Sequence, residues 1–100
     1  MGKQEGPIEQ HLCDQCKKHN IFIQKNITIR GIPDRLIMKD DIYIWIETKA
    51  PDKKPTKLQV EIMKKLKKQK ATVYVADTKE KIDEIINELL DRVEKQKKER

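Results

Sequence analysis

Two apolar-rich segments separated by a pair of aspartates constrain this chain most strongly. The segments are Arg35–Lys39 and residues 42–46, and Asp40-Asp41 lies between them. Apolar runs on both sides of a short polar pair are typical of a β-hairpin with a two-residue turn. The sequence therefore predicts two adjacent antiparallel strands near the middle of the chain.

The register of this hairpin decides which polar side chains meet. A two-residue turn pairs Lys39 with Ile42, which places Asp34 opposite Glu47. Glu47 and Lys49 share a face because side chains alternate along a strand. Opposed partners lie about 5 Å apart at Cβ, where two carboxylates repel each other unless a cation lies between them. We interpret this pair of carboxylates as a metal site. The alternative is an ordinary charged strand end with nothing bound. The interpretation depends on the two-residue turn, because a longer turn would change the register.

The residue types at this site indicate hydrolysis of a phosphodiester bond. Asp34 and Glu47 offer hard carboxylate oxygens, which suit Mg²⁺ or Mn²⁺, and the backbone carbonyl of Thr48 is the expected third protein ligand. A bound divalent ion lowers the pKa of its water and neutralises phosphate charge. Lys49 would orient the attacking water or stabilise the charged transition state.

Four short motifs around the hairpin carry a family resemblance. They are Gly31-Ile32-Pro33-Asp34, Glu47-Thr48-Lys49, Ala50-Pro51 and Leu58-Gln59. Together they resemble the VRR-NUC branch of the PD-(D/E)XK nuclease superfamily, over a region from about Glu5 to about Ile86, and especially its small stand-alone forms from bacteriophages. The resemblance implies a restriction-endonuclease-like α-β-β-β-α-β core and divalent-metal-dependent endonuclease activity. For the stand-alone forms it also implies homodimers that cut branched DNA such as Holliday junctions.

The resemblance assigns roles to individual residues. Asp34, Glu47 and Lys49 match the catalytic motif of the superfamily. Gln59 matches a family glutamine on the helix after the motif, where it would organise the site or a phosphate. These four residues are therefore the expected catalytic set.

A glutamate on the first helix is a further candidate. Glu9 resembles the first-helix glutamate of related resolvases, in the pattern Ile8-Glu9-x-x-Leu12, and would be an additional catalytic residue and metal ligand. Glu5 is the nearby alternative. Residues 26–30 depart from the family pattern because this segment is shorter and less glycine-rich, which leaves the polar contacts expected there open.

Composition favours a nucleic-acid partner and a small core. Hydrophobic residues make up 36% of the 100 residues and charged residues 40%, so a homodimer that buries apolar surface is the economical expectation. The net charge is +6, and clustered lysines can neutralise phosphates, although a solvated helix face is the simpler alternative. The candidate DNA-binding residues are Arg30, Arg35, Lys53, Lys54 and Lys57.

Hydrophobic periodicity predicts helices and strands along one α/β chain, and the family resemblance implies that the strands form a mixed sheet flanked by helices. We expect a single domain over residues 1–100, with an ordered core over about 5–93 and a frayed, charged tail over 94–100. The elements are a helix over 8–18, a strand over 21–25, the hairpin, a helix over 57–69 capped by Thr56, a buried strand over 71–76 and a C-terminal helix.

Two helices have apolar stripes whose partners can be predicted. The helix over 57–69 is expected to bury Leu58, Ile62 and Leu66, with Met63 beside them. In the C-terminal helix Ile82, Ile85, Ile86 and Leu89 are expected in the core, while Leu90 and Val93 are the better candidates for dimer contacts.

A cluster of histidines and cysteines is a competing signal for zinc. His11, Cys13, Cys16 and His19 include a Cys-x-x-Cys pair. The pair lies in a helical pattern that places His11 on a different face from Cys16 and His19, so we expect a buried Cys16 and no zinc site. Whether Cys13, Cys16 or His19 binds anything stays open.

The chain shows no apolar segment that would direct it to a membrane. No apolar stretch approaches bilayer length and the first residues show no apolar signal region, so we expect a cytoplasmic protein without a membrane partner, in the bacterial host cell if a phage encodes it.

The main alternative function is a non-catalytic basic module that binds nucleic acid. A sequence-specific restriction-type nuclease is another, although no segment is obviously dedicated to reading bases.

Overall fold

The computed structural model describes residues 6–99, and its order of elements confirms the predicted fold. None of the helices in that range is long and apolar enough to cross a membrane. The elements are α1 (Gly6–Lys18), β1 (Phe22–Lys25), β2 (Arg35–Lys39), β3 (Ile42–Thr48), α2 (Lys57–Lys68), β4 (Val73–Ala76) and α3 (Lys79–Glu99).

The four strands form one mixed sheet in the order β1-β2-β3-β4. The first three strands are antiparallel neighbours, and β4 runs parallel to β3. The hairpin turn is Asp40-Asp41, whose φ values of 48° and 72° lie in the left-handed region that a two-residue hairpin turn requires. Lys39 pairs with Ile42, so the predicted register is confirmed.

The main core lies between one face of this sheet and the helices α1 and α3. Alternate residues of β2 and β3 point toward those helices, as the pleat of a strand dictates. The largest fully buried side chains in this layer are Leu12, Ile37, Ile44, Ile46, Ile82, Ile85, Ile86 and Leu89.

Helix α2 packs differently from the prediction. Met63 is its buried residue, whereas Leu58 is 49% exposed and Ile62 and Leu66 are half-buried. Leu58 lies over the loop before β2, because a Cβ on Gly31 would come within 2.8 Å of the Leu58 Cγ. The expectation that Leu58 is a core residue is therefore wrong; it covers a loop.

Helix α3 also corrects two expectations. Val93 is 2% exposed and belongs to the core cluster, so it is not open to a partner; Leu90 is half-buried against that cluster, and its dimer contact stays a prediction. The helix continues to Glu99 where a frayed tail was expected. Near its end the Lys97 Nζ lies 3.9 Å from an Asp40 carboxylate oxygen, beside the hairpin turn.

One row of apolar side chains stays exposed across the sheet. Phe22 pairs with Met38, and Met38 pairs with Tyr43, so these residues form a cross-strand row. Their exposed fractions are 59%, 37% and 46%. An apolar row of this kind is the surface that association between chains can cover.

Candidate active site

The predicted site residues meet where β2 begins and β3 ends. Arg35 pairs with Ile46, and the same register continues to Asp34 and Glu47 one residue beyond. Glu47 and Thr48 are successive strand residues and point to opposite faces of the sheet. Thr48 faces the first helix and Glu47 faces the start of α2, so the site spans the end of the sheet between the two helices.

Thr48 fixes the carboxylate of Asp34 with two hydrogen bonds. Its peptide N–H donates to Asp34 Oδ1 at 3.1 Å, and its hydroxyl donates to Asp34 Oδ2 at 2.7 Å. Thr48 is fully buried, while Asp34 is half-buried. The hydrogen bonds therefore hold both oxygens of this carboxylate at the border between core and solvent.

Glu47 is a buried carboxylate with three protein donors. Its Oε1 accepts from the Asp34 peptide N–H at 3.2 Å, and its Oε2 accepts from Gln59 Nε2 at 2.9 Å and lies 3.3 Å from Lys49 Nζ. Burial raises the pKa of Glu47, and the nearby charge of Asp34 raises it further. The charge and hydrogen bond of Lys49 lower that pKa and offset part of the rise.

Gln59 connects the start of α2 to the site. Its Oε1 accepts from the Thr56 peptide N–H at 2.8 Å, and its own N–H donates to Thr56 Oγ1 at 3.2 Å, which together form a capping box. The side-chain NH₂ group of Gln59 donates to Glu47 Oε2. The side chain that caps the helix thus also holds a carboxylate of the site.

The first-helix glutamate reaches the site but is ion-paired. Glu9 Oε2 accepts from Arg35 Nη2 at 2.9 Å, and Arg35 Nη1 donates to the carbonyl of Asp34 at 3.2 Å. Arg35 is only 5% exposed, which contradicts the prediction that it contacts DNA. Alternation along β2 turns it inward, toward α1. The alternative carboxylate, Glu5, lies outside the described residues.

The remaining DNA-binding candidates lie at the surface. Arg30 is exposed in the loop before β2, Lys53 and Lys54 are exposed in the loop after β3, and Lys57 is exposed in the first turn of α2. Because all four side chains are exposed, they are accessible to a phosphate backbone.

The oxygen donors of Asp34 and Glu47 suit a divalent ion. Asp34 and Glu47 supply hard oxygens, and Mg²⁺ is commonly held by one or two carboxylates together with waters and substrate phosphates. Burial, and then the charge of Asp34, raise the pKa of Glu47, and a bound cation would relieve the repulsion between the two carboxylates. Within residues 6–99 no group of three or more His, Cys, Asp or Glu side chains is arranged to hold a metal ion. A two-carboxylate site of the magnesium type therefore fits these residues, and the carbonyl of Thr48 stays a predicted ligand.

The histidine and cysteine cluster is divided among different surroundings. His11 Nε2 lies 2.7 Å from Asp83 Oδ1 on α3, while Cys16 is buried in the core and Cys13 is half-buried. Burial raises the pKa of the Cys16 thiol to about 12, with a smaller contribution from Cys13. Cys16 is therefore a packing residue of α1.

Two contributions to the site were not predicted from the sequence. The prediction for Thr48 concerned only its backbone carbonyl, whereas its hydroxyl also donates to Asp34. Arg35 was predicted to bind DNA, whereas it is buried and paired with Glu9. Counting from the buried Ile37 would have indicated that Arg35 faces inward.

Comparisons with known proteins agree with this fold. No family model matches the chain. A solved structure described as a VRR_NUC domain superposes with a TM-score of 0.78 at 20% sequence identity, covering 86% of this chain and 97% of that one. The chain therefore has the VRR_NUC fold, which confirms the fold that the sequence resemblance implied.

A curated phage protein is similar in sequence. It is named "Putative nuclease p44", from Acyrthosiphon pisum secondary endosymbiont phage 1, and is 37% identical to this chain over 59 residues. The match covers 56% of this chain and 63% of the relative. The chain thus spans less than two thirds of the length of that protein.

Proposed function

We propose that this chain is a divalent-metal-dependent endodeoxyribonuclease that hydrolyses phosphodiester bonds. The observation that carries the proposal is the convergence of Asp34, Glu47 and Lys49 at the end of β3. The VRR_NUC fold and the name of the phage relative support it.

The side chains of the site would have different roles: two would bind the metal ion, one would contact water or phosphate, and one would position a ligand. Mg²⁺ or Mn²⁺ bound by Asp34 and Glu47 would supply charge neutralisation and a water of lowered pKa. Lys49 is 16% exposed at its side chain, so its ammonium can donate to a water or a phosphate oxygen while it stays beside Glu47. Gln59 would keep Glu47 in place from the start of α2.

The substrate that we propose is branched DNA, with four-way junctions as the leading candidate, cut by a homodimer in the cytoplasm of a bacterial host. The support for these finer statements is the family resemblance. Arg30, Lys53, Lys54 and Lys57 would hold the phosphate backbone. The exposed row of Phe22, Met38 and Tyr43 is apolar surface that a second copy can cover.

A cleavage panel tests the activity. Labelled linear duplex, flap and four-way DNA would be incubated with the protein in Mg²⁺, in Mn²⁺ and in chelator. We expect cutting of branched substrates that requires metal, and its loss in Asp34→Asn and Lys49→Met. Cutting by metal-free protein, or unchanged cutting by either variant, would contradict the proposed site. Cleavage of linear duplex at one sequence would instead indicate a restriction-type enzyme.

A second candidate is a non-catalytic module that binds nucleic acid. The observation that favours it is that every carboxylate oxygen of Asp34 and Glu47 already accepts a hydrogen bond from the protein, while Glu9 is paired with Arg35. Such a module would retard all the DNA substrates in a gel and leave them intact in every metal. Sedimentation equilibrium tests the dimer, and a monomer at assay concentrations would contradict paired cuts by two copies.

A further inference from the structure

We infer that Thr48 is the positioning residue for Asp34: its peptide N–H and its hydroxyl together set the orientation in which that carboxylate binds a divalent cation. This inference rests on the proposed function, since it concerns the same site.

The two hydrogen bonds leave the carboxylate little freedom. One donor goes to each oxygen, at 3.1 Å from the peptide nitrogen and at 2.7 Å from the hydroxyl. The hydroxyl distance is within the usual range for an O–H···O hydrogen bond. Asp34 lies just outside β2, so the strand alone does not fix its side chain.

Thr48 itself is held rigidly. It is fully buried at the end of β3 and pairs with Ala76 of β4. A β-branched side chain has restricted rotation about its Cα–Cβ bond, so the surrounding core sets the direction of the hydroxyl. Since the residue is buried, water does not compete for that hydroxyl.

The competing acceptor near the hydroxyl is farther away than Asp34 and is ion-paired through its other oxygen. Glu9 Oε1 lies 3.4 Å from the Thr48 hydroxyl, farther than Asp34 Oδ2, and a hydroxyl has one hydrogen to donate. Arg35 neutralises Glu9 through its other oxygen at 2.9 Å. The hydroxyl is therefore directed to Asp34.

Each oxygen of Asp34 keeps acceptor capacity for a metal. An ionised carboxylate has about four lone-pair sites, and the two hydrogen bonds from Thr48 use two of them. Partners that orient a ligating side chain typically change metal affinity by about 10- to 100-fold when they are removed. Loss of the hydroxyl should therefore weaken metal binding without removing a ligand.

The test compares variants that differ in the hydroxyl alone. Thr48→Val keeps the shape of the side chain and removes the hydroxyl, while Thr48→Ser keeps the hydroxyl; Thr48→Ala against Thr48→Ser repeats the comparison if the valine variant does not fold. Thr72→Val is the matched control, because Thr72 is a half-buried threonine whose hydroxyl accepts from Arg92 and does not contact the site. Circular dichroism would establish folding.

The primary measurement is Mn²⁺ affinity of the DNA-free protein, followed by spin resonance of free Mn²⁺. We expect Thr48→Val to weaken binding by about 10-fold or more, with Thr48→Ser and Thr72→Val close to the wild type. Cleavage by Thr48→Val should recover at high Mn²⁺, because the ligands themselves are intact.

Two results would overturn the inference. Wild-type Mn²⁺ affinity in folded Thr48→Val would show that the hydroxyl does not position Asp34, as would equal weakening in Thr48→Ser and Thr48→Ala. Failure of the proposed function looks different, because the wild-type protein itself would then neither bind Mn²⁺ nor cut DNA.

Discussion

At the residue scale, the balance of charge around Glu47 is the property most open to measurement. Burial and Asp34 raise the pKa of Glu47, and Lys49 lowers it. In metal-free protein we therefore expect the Glu47 carboxyl to titrate above its ordinary range, and Lys49→Met to raise the pKa further. Carbon NMR of the labelled side chain measures both. A lower pKa in Lys49→Met would contradict the assigned balance.

The same shift fixes the sign of a pH effect on stability. Because the folded-state pKa of Glu47 is raised, the folded protein holds this proton more tightly than the unfolded chain does. Its contribution is complete below the ordinary carboxyl pKa and is lost as pH rises through the raised pKa. The stability of wild type relative to Glu47→Ala, in chelator, should thus be greater at about pH 4 than at about pH 7. Urea unfolding of both proteins at each pH provides the comparison.

Single residues also show the limit of sequence reasoning. The hairpin register placed Asp34 opposite Glu47 from a two-residue turn alone, and the structure has that register. The ion pair of Arg35 with Glu9 and the contact of Thr48 with Glu9 depend on how α1 crosses the end of the sheet. Packing between distant segments is not encoded in the periodicity of either segment, so these contacts were not predicted.

At the element scale, the start of α2 combines a helix cap with a contact to the site. Thr56→Ala removes the cap acceptor and should lower the free energy of unfolding by about 1 kcal/mol. Gln59→Ala should lower it by about 1–3 kcal/mol, because it also leaves a buried carboxylate without one of its donors. Chemical denaturation measures both, and Thr56→Ala is the control for capping. DNA cleavage should fall in Gln59→Ala and change little in Thr56→Ala; equal loss of cleavage would assign the role of Gln59 to the cap alone.

The loop before β2 is fitted to the same helix. Gly31 has a φ of +88°, and an added Cβ would come within 2.8 Å of Leu58 Cγ and 3.0 Å of Ile62 Cγ1. Gly31→Ala should therefore destabilise the protein by about 1–3 kcal/mol, from strain in the backbone and from the clash.

A double-mutant cycle separates the two causes. Leu58→Ala alone should lower the free energy of unfolding by less than the same change at a fully buried leucine, because Leu58 is 49% exposed. If the clash matters, Gly31→Ala combined with Leu58→Ala should be more stable than the sum of the two single effects allows. Strict additivity would leave backbone strain as the whole cause.

The apolar stripes of the elements were predictable in type but not in partner. The period of α3 gave its buried residues Ile82, Ile85, Ile86 and Leu89, which the structure places in the core. The stripe of α2 is as clear, yet this helix buries Met63 and leaves Leu58 over a loop. A helix period shows which face is apolar, whereas the partner of that face depends on the whole fold.

At the scale of the whole molecule, basic residues occur at both ends of the sheet. Lys53, Lys54 and Lys57 follow the end of β3 where the site lies. The opposite end holds the hairpin turn, with the ends of α1 and α3 beside it: Lys39 Nζ donates to the carbonyl of His19 at 3.1 Å, and Lys97 lies near Asp40. If net charge alone drove DNA binding, lysines at both ends of the sheet would contribute equally. The proposed function instead requires that DNA binds at the end of the sheet that holds Asp34 and Glu47.

Neutralising lysines at each end distinguishes these possibilities. Each phosphate contact contributes about 0.9 to the slope of log affinity against log salt, so replacing Lys53, Lys54 and Lys57 by Gln should reduce the slope by about 2–3. The matched control replaces the exposed Lys17, Lys95 and Lys98, which lie toward the hairpin-turn end, and removes the same charge. Fluorescence anisotropy with labelled four-way DNA in chelator, across a salt series, measures binding without cleavage. Equal reductions in both triple variants would show that the net charge of +6 acts as a whole and that the site end has no special role in binding.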